Sequence, residues 1–316
     1  MKKIVINLIY ICLICIVCVE VLINSKIVLD SVRVSFSIWQ NNIFPSLFPF
    51  FIIGNILICL GFPSILGELF KNITYKLFKI NKNGAFIIIL SMLSGFPSSA
   101  KYIKEIYLNG DINEKEATKL LMFTHFSNPL FVLGTVSLLF LNDSKIGIPI
   151  LISHYLGNLV IGLIVRNYYV SKKDNSKINI KNSLENINNS KSFGQILSNS
   201  ISSGINTLLL ILGTISVFLI LTSLINTIFN FSDLTKTFVN GIFEMTQGLK
   251  CLESLSINTN IKGLIAVIIL SFGGLSVHMQ TLTIISDTKI KYFPYFISRI
   301  FHALISACIF YFWKVF

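Results

Sequence analysis

Charged residues are scarce in this sequence of 316 residues. Asp, Glu, Lys and Arg together make up 13% of it, whereas soluble domains average about 25%. Hydrophobic residues reach 53%, and the mean hydropathy is +0.75. This balance excludes an ordinary soluble enzyme and indicates that most of the chain lies in lipid.

The sequence consists mainly of long apolar runs. Each approaches the roughly 20 residues that cross a hydrocarbon core as a helix. These runs lie near residues 4–23, 36–60, 84–100, 121–141, 146–166, 203–228, 262–284 and 293–313. The segments between them are too short for a separate soluble domain. The sequence therefore predicts an all-α polytopic membrane protein, with one transmembrane domain over residues 1–316.

The motifs that carry catalysis are also missing. The sequence contains no H-E-x-x-H, G-x-S-x-G or P-loop pattern. Cys12, Cys15 and Cys18 have metal-like C-x-x-C-x-x-C spacing, but they lie in an Ile/Val/Leu run without a histidine or acidic partner nearby. We interpret them as small apolar helix residues. We expect a protein that is not an enzyme and has neither a cofactor nor a metal.

Positive charge exceeds negative charge, with a formal net charge of +12. In a soluble protein this excess would suggest a nucleic-acid partner. Here the lysines lie in loops between apolar runs, so topology explains them and we expect no nucleic acid. Residues 167–192 are polar, rich in Asn and Lys, and without apolar periodicity. They predict a linker between two halves of the chain.

The distribution of Lys and Arg tests the topology. If all eight runs span the membrane and the N-terminus is cytoplasmic, the inside holds 11 of these residues and the outside 14, against the positive-inside rule. If 84–100 and 262–284 are re-entrant hairpins instead, the counts become 17 inside and 8 outside. This second arrangement predicts cytoplasmic N- and C-termini and two inverted repeats, residues 36–141 and 203–313, a common transporter plan.

Glycine, serine and proline interrupt the apolar runs at corresponding places in the two halves. Such breaks at membrane depth line a protected polar cavity and are typical of transporter substrate sites. At Pro129 a half-helix begins that Ser127 or Asn128 can cap, and its free N–H groups would face an anion. From these breaks the candidate substrate-binding residues are Ser94, Gly95, Ser98, Ser99, Lys101, Ser127, Asn128, Gly274, Ser276 and Gln280.

Ionisable side chains inside the predicted membrane segments give further candidates, because such groups are rare there and usually functional. They are His278, Arg299 and His302, joined by Glu244, Thr246 and Gln247 between two glycines. Three readings of Glu244 stay open: a proton or cation carrier, a substrate partner, or a solvated loop acid. His154, beside Tyr155, is either functional or an interfacial anchor.

Four motifs carry a resemblance to a known family: "SGFPSSAK", "FSNPLFVLGTV", "GIFEMTQG" and "FGGLSVHMQ", followed by "SRIFHALIS". From about Phe36 to its end, the chain resembles the sporulation integral membrane proteins of YlbJ type, a branch of the nucleoside-recognition gate-domain membrane proteins. The family usually has a tyrosine where Phe96 stands, and Lys101 is retained. The resemblance implies transport of dipicolinic acid across the mother-cell-derived outer forespore membrane during endospore formation.

The resemblance extends to architecture, since the Glu244–Gly248 run is similar to one in concentrative nucleoside carriers. It implies their inverted repeat with two re-entrant helical hairpins. Dipicolinate is a flat aromatic dianion, so our hypothesis is that Lys101 and Arg299 neutralise its two carboxylates, with a proton or sodium as the coupling ion. The alternatives are a nucleoside or related-base carrier and a non-transporting structural protein of the spore envelope.

Overall fold

A computed structural model of the chain describes residues 2–171 and 192–315. These residues form helices and connecting loops. Six helical elements among them are long and apolar enough to cross a membrane, or seven if one bent pair is a single span. The prediction of an all-α polytopic membrane protein is confirmed. The predicted linker, residues 167–192, lies mostly outside the described residues.

The first part of the chain forms a scaffold of long helices. Helices α2 and α3 join through a π-helical turn, Trp39–Ile43, into one apolar element of 35 residues. Helix α4 then meets α5 at 89°, so the two cross almost at a right angle. The helices are α1 (Lys2–Ile23), α2 (Ser25–Ile38), α3 (Phe44–Cys59), α4 (Phe62–Phe78) and α5 (Asn83–Ser94).

After α5 the chain turns back on itself. Helix α6 (Ser98–Leu108) follows a break at Gly95, whose φ of +78° favours glycine. In one continuous helix Phe86 and Tyr102 would be about 24 Å apart, but their ring centroids lie 6.2 Å apart. Helices α5 and α6 therefore form a helical hairpin, which we call hairpin 1. Its tip is the break that the sequence marked.

A broken span follows hairpin 1. It consists of α7 (Glu114–Phe123), a non-helical stretch, and a π-helix (Phe131–Phe140). The predicted cap is confirmed: Asn128 Oδ1 accepts a hydrogen bond from the Phe131 backbone N–H at 3.2 Å. Helix α8 (Gly147–Ile164) then returns through the fold.

The second half begins with α9 (Phe193–Ile228), which is 36 residues long and starts at a capping box formed by Ser192 and Gln195. Helices α10 (Asp233–Phe243) and α11 (Met245–Cys251) follow, separated by Glu244 alone. The α carbon of Gly241 lies directly against the position of a Cβ on Gly248. Contact between these backbones requires the chain to fold back at Glu244, so α10 and α11 form hairpin 2.

The prediction that residues 262–284 form a hairpin is wrong. Helices α12 (Thr259–Phe272) and α13 (Gly274–Ile285) make one apolar span of 27 residues, Thr259–Ile285, without a sharp bend. Gly273, at φ +90°, interrupts the helix but lets it resume in the same general direction. Hairpin 2 occupies residues 233–251 instead. Each half thus contains a hairpin followed by a broken span; the inverted repeat itself stays a prediction.

One set of loops lies together on a single face of the fold, joined by polar contacts. Lys119 Nζ donates to the carbonyl of Arg166 at 2.8 Å and to that of Phe78. Lys104 pairs with Asp287 at 2.7 Å. We call this the basic face, defined by residues 79–82, 109–113, 165–171 and 286–291.

Apolar packing defines the opposite face. Residues 141–146 and 252–258 lie there, with the C-terminal end of α14 (Tyr292–Val315). A Cβ on Gly263 would lie 2.5 Å from an Ile146 side-chain carbon and 2.6 Å from one of Phe310. Because α14 begins beside the basic face and ends here, it crosses the whole fold.

Candidate functional site

The two hairpin tips and the two broken spans meet in the middle of the fold. A Cβ on Gly95 would lie 2.7 Å from the Asn128 backbone nitrogen, which joins hairpin 1 to the first broken span. A Cβ on Gly274 would lie 2.9 Å from the Met245 backbone nitrogen, which joins the second broken span to hairpin 2. The rings of Phe96 and His125 stack at 4.5 Å. The four breaks therefore lie close together in the middle of the fold.

A small cavity, with a free volume of about 50 Å³, lies between these breaks and the helices α3 and α9. Its mixed polar and apolar lining is typical of small-molecule sites. The lining residues are Ile43, Ser46, Leu47, Phe96, Ser127, Asn128, Phe131, Ile211, Ile215, Glu244, Met245, Thr246, Val277 and Gln280. We call it the central cavity.

Glu244 is the acidic residue of this lining and is 1% exposed. It lies at the tip of hairpin 2 in an extended conformation, where its carboxylate accepts a hydrogen bond from the Gln247 backbone N–H at 2.7 Å. This bond caps α11. Its burial contradicts the reading of Glu244 as a solvated loop acid, and the other two readings stay predictions.

Amide and hydroxyl groups make up the rest of the polar lining. Asn128 donates from Nδ2 to the Ser46 carbonyl at 3.1 Å while its Oδ1 caps the π-helix. Ser127, Thr246 and Gln280 are also buried in the wall. Among the residues that the structure describes, neither a lysine nor an arginine lines the central cavity.

Besides α11, which Glu244 caps, three helices begin beside the cavity: α6 at Ser98, the π-helix at Phe131 and α13 at Gly274. A helix N-terminus carries free N–H groups and a partial positive charge equivalent to about half an elementary charge. Their convergence gives this region a positive potential without a formal cation. The arrangement suits a ligand with negative or partly negative oxygen atoms.

The central cavity brings together five of the predicted site residues, Ser127, Asn128, Glu244, Thr246 and Gln280. Others support its tips. Ser94 and Ser98 lie 2.5 Å apart through their Oγ atoms, and Ser98 Oγ also donates to the Gly95 carbonyl. The remaining supporting residues are buried or half-buried within one turn of a break: Gly95, Ser99, Gln247, Gly274 and Ser276.

Arg299 and His302 lie outside the cavity, on α14. The guanidinium of Arg299 donates to Asn158 Oδ1 at 3.0 Å, to His302 Nδ1 at 2.9 Å and to the Met122 carbonyl. His302 in turn donates from Nε2 to the His154 carbonyl at 2.8 Å. These bonds tie α14 to α8 and to the end of α7, so Arg299 holds the first broken span in place.

Two further histidines, His154 and His278, make hydrogen bonds next to the broken spans. His154 is fully buried, accepts from the Ser127 backbone N–H at 2.9 Å and contacts Ser271 Oγ at 3.0 Å. The interpretation of His154 as an interfacial anchor is therefore wrong. His278 lies 2.9 Å from the Tyr292 hydroxyl and 3.1 Å from the Phe272 carbonyl, also away from the cavity.

Lys101 faces a different cleft, between α6 and α9. Its Nζ lies 5.4 Å from the centre of the Phe51 ring. With the Asn55 amide oriented to satisfy both neighbours, its oxygen accepts from Lys101 at 3.0 Å and its nitrogen donates to Glu105 at 3.3 Å. Lys101 and Arg299 thus have different partners, and neither of them lines the central cavity.

Sequence reasoning missed the apolar part of the site. Phe96 and Phe131 line the cavity, as do Ile211 and Ile215 on α9. Phe96 had a usable signal, because it stands between Gly95 and Pro97 in the broken stretch. The isoleucines had none, since they resemble every other apolar residue of a 36-residue membrane helix.

No family model matches the chain, and no solved structure matches it. Among curated proteins, the sporulation integral membrane protein YlbJ of Bacillus subtilis (strain 168) is 29% identical over 310 residues. The match covers 88% of this chain and 75% of that protein. The resemblance to sporulation integral membrane proteins of YlbJ type is confirmed.

Proposed function

We propose that this chain, an integral membrane protein of the YlbJ-type sporulation family, moves dipicolinic acid across the outer forespore membrane. The observation that carries the proposal is the central cavity, where two hairpin tips and two broken spans meet inside an apolar fold. Breaks of this kind are tolerated at membrane depth only where they line a protected cavity, and in transporters they hold the substrate.

The lining matches a flat ring that carries polar oxygens. Phe96 and Phe131 offer aromatic surface, and Asn128 and Gln280 offer amide donors. The three helix N-termini beside the cavity supply positive potential for carboxylates. Since the lining holds no cation among the described residues, our proposal assigns charge compensation to these N-termini. Lys101 and Arg299 act elsewhere.

Glu244 is the residue that we propose couples transport to a proton gradient. An ionised carboxylate next to a dicarboxylate in a buried site would repel it, and burying an unpaired charge is costly. A proton on Glu244 removes the repulsion and adds a hydrogen-bond donor. We therefore propose that Glu244 binds the coupling proton, and that proton and substrate move together. Sodium is the alternative coupling ion.

The neutral character of the remaining lining favours a second candidate. A nucleoside or related base needs hydrogen bonds to a ring and hydroxyl groups rather than paired cations, and Asn128, Glu244 and Gln280 could provide them. A structural protein of the spore envelope, the third reading, has no need of a lined cavity.

Uptake into proteoliposomes that contain the purified full-length chain tests these functions. We expect radiolabelled dipicolinate to accumulate when a pH gradient is imposed and not when a sodium gradient replaces it. Accumulation of uridine without dipicolinate would favour the nucleoside carrier. Transport of neither compound, together with defective envelope assembly in a deletion strain, would favour the structural protein.

The distribution of positive charge orients the proposed carrier. Ten described Lys and Arg residues lie on or near the basic face: Lys71, Lys76, Lys79, Lys82, Lys104, Lys115, Lys119, Arg166, Lys289 and Lys291. Six lie toward the opposite face: Lys26, Arg33, Lys145, Lys236, Lys250 and Lys262. We propose that the basic face is cytoplasmic.

This orientation has a consequence for the C-terminus. Because α14 ends on the opposite face, we propose that the C-terminus lies outside the cytoplasm, in place of the prediction that both termini are cytoplasmic. In a host that carries the protein in its plasma membrane, a protease site appended to the C-terminus should be cleaved in intact cells from outside, whereas a site inserted after Ser171 should not. The reverse pattern would overturn the orientation.

A further inference from the structure

A second cleft of about 480 Å³ lies between α6 and α9 and opens toward the basic face. Lys101, Lys104 and Glu105 line it from α6. The proposed transport function does not account for this cleft, and neither does the packing of the membrane helices around it.

The α9 wall of the cleft is a polar stripe. Its residues recur at helical spacing and occupy one face of the helix: Asn199, Ser202, Ser203, Asn206 and Thr207. Ile205 and Leu209, on another face of the same turns, are exposed and apolar. A polar face on a membrane helix must meet protein or water. Asn206 and Ser202 are exposed, so this wall of the cleft is open to the surroundings of the protein.

The cleft and the central cavity are lined by neighbouring segments of the same helices. Three walls are shared, and on each wall the residues that line the two spaces are one to five positions apart in the chain. On α9 the cleft ends at Leu210 and the central cavity begins at Ile211; on α13 the corresponding pair is Ile284 and Gln280. On hairpin 1, Phe96 lines the cavity and Lys101 lines the cleft.

A thin apolar barrier separates the two spaces. Phe51 and Leu208 are fully buried and pack in one cluster with Leu47 and Ile211, which line the central cavity. Lys101 lies over the Phe51 ring on the cleft side. It is 6% exposed, and the Asn55 amide oxygen accepts from its ammonium group while the Asn55 nitrogen donates to Glu105. A buried cation therefore stands where the cleft meets the barrier.

We propose that this cleft is the aqueous vestibule between the basic face and the central cavity, and that Lys101 is the docking point for an organic carboxylate at its inner end. The inference rests on the proposed function for the identity of its ligand. An arriving carboxylate replaces the Asn55 contact of Lys101 by a charge-assisted hydrogen bond. Passage into the cavity then requires the Phe51 barrier to open.

Cysteine labelling tests the vestibule without reference to transport. The six native cysteines are first replaced by serine or alanine in the full-length chain, and single cysteines are then introduced. A membrane-impermeant thiol reagent applied at the basic face should label Ser203→Cys and Asn206→Cys at least 10-fold faster than the matched controls Ile205→Cys and Leu209→Cys. Equal rates at all four positions would overturn the vestibule.

Transport kinetics test the role of Lys101. A hydrogen bond to a charged group contributes about 1.5–3 kcal/mol, so Lys101→Met should raise the KM for dipicolinate at least 10-fold with little change in maximal rate. Lys101→Arg should restore most of the affinity, and Glu105→Gln should lower the KM because it removes a competing carboxylate. An unchanged KM in Lys101→Met would refute the docking role.

The two experiments fail separately. If the chain carries no dipicolinate, the labelling pattern still decides whether a water-filled vestibule exists. If dipicolinate is carried and also slows the labelling of Asn206→Cys, then the vestibule is the route to the cavity. Labelling that dipicolinate leaves unchanged at saturating concentration would refute the route while leaving the proposed transport function intact.

Discussion

The two hairpins make the same turn with different chemistry. The tip of hairpin 1 is glycine, phenylalanine and proline, and its hydrogen bonds stay within the hairpin, between Ser94 and Ser98. The tip of hairpin 2 is a single buried acid, Glu244. Hairpin 1 therefore supplies a wall of the central cavity. Hairpin 2 supplies the ionisable group whose protonation would change the charge of the cavity lining.

Packing behind the tips differs as well. Hairpin 1 holds its helices apart with the rings of Phe86 and Tyr102. Hairpin 2 brings its backbones into direct contact at Gly241 and Gly248. Hairpin 2 is therefore the more sensitive of the two to an added side chain, and the less able to relax around one.

The largest expected effect comes from breaking this contact. A Cβ in Gly248→Ala would overlap the Gly241 backbone, and backbone cannot move aside as a side chain can. We expect a loss of about 3 kcal/mol, at the upper end of the range for overpacking, measured as a lower melting temperature in detergent. Gly213→Ala is the matched control, because nothing described lies within 4 Å of that position. Equal melting temperatures for the two variants would show that hairpin 2 is loosely packed.

A smaller effect on stability, and a larger one on transport, separates two of the buried ionisable side chains, Arg299 and Glu244. Arg299→Met leaves Asn158 Oδ1 without its donor and removes one of the two donors to the Met122 carbonyl, the other being the Ser298 hydroxyl, so we expect a loss of about 2 kcal/mol in stability. Glu244→Gln keeps a polar side chain of the same size at the cavity. We expect its melting temperature to stay near that of the parent protein and pH-driven accumulation of dipicolinate to fall at least 10-fold.

Counterflow sharpens this second comparison. Glu244→Gln should still exchange labelled for unlabelled dipicolinate, because a neutral side chain mimics the protonated acid. Accumulation that still follows the pH gradient in Glu244→Gln would assign the coupling proton to another residue. A stable Arg299→Met protein with a raised KM would return Arg299 to the substrate site.

Much of the fold could be predicted from the sequence, because hydropathy alone marks helices that cross lipid. The break at Gly95 and the cap at Asn128 were also readable, since glycine and an Asn-Pro pair have strong local preferences. Hairpin 2 was not. Gly273 and Gly274 look like a turn in the sequence, yet the helix resumes beyond them, while residues 233–251 are too short and too polar to form an apolar run.

The site was only partly predictable, for a reason that Arg299 illustrates. Its type and its apolar surroundings correctly indicated a buried group. Its partners Asn158 and Met122 are 141 and 177 residues away in the chain, and no local pattern connects them. A buried cation can hold a substrate or hold the fold, and only the three-dimensional contacts distinguish the two.

The smallest expected effect compares two helix caps of the same residue type. Asn113 caps α7 near the basic face by accepting from Glu116 N–H at 3.0 Å, and Asn128 caps the π-helix at the cavity at 3.2 Å. Each Asn→Ala change should cost about 1 kcal/mol of stability. Only Asn128→Ala should also weaken dipicolinate uptake, by roughly 5-fold in KM, because a neutral hydrogen bond contributes about 1 kcal/mol. If Asn113→Ala raises the KM equally, the effect of Asn128 is one of stability, and the first broken span is a support rather than a part of the binding site.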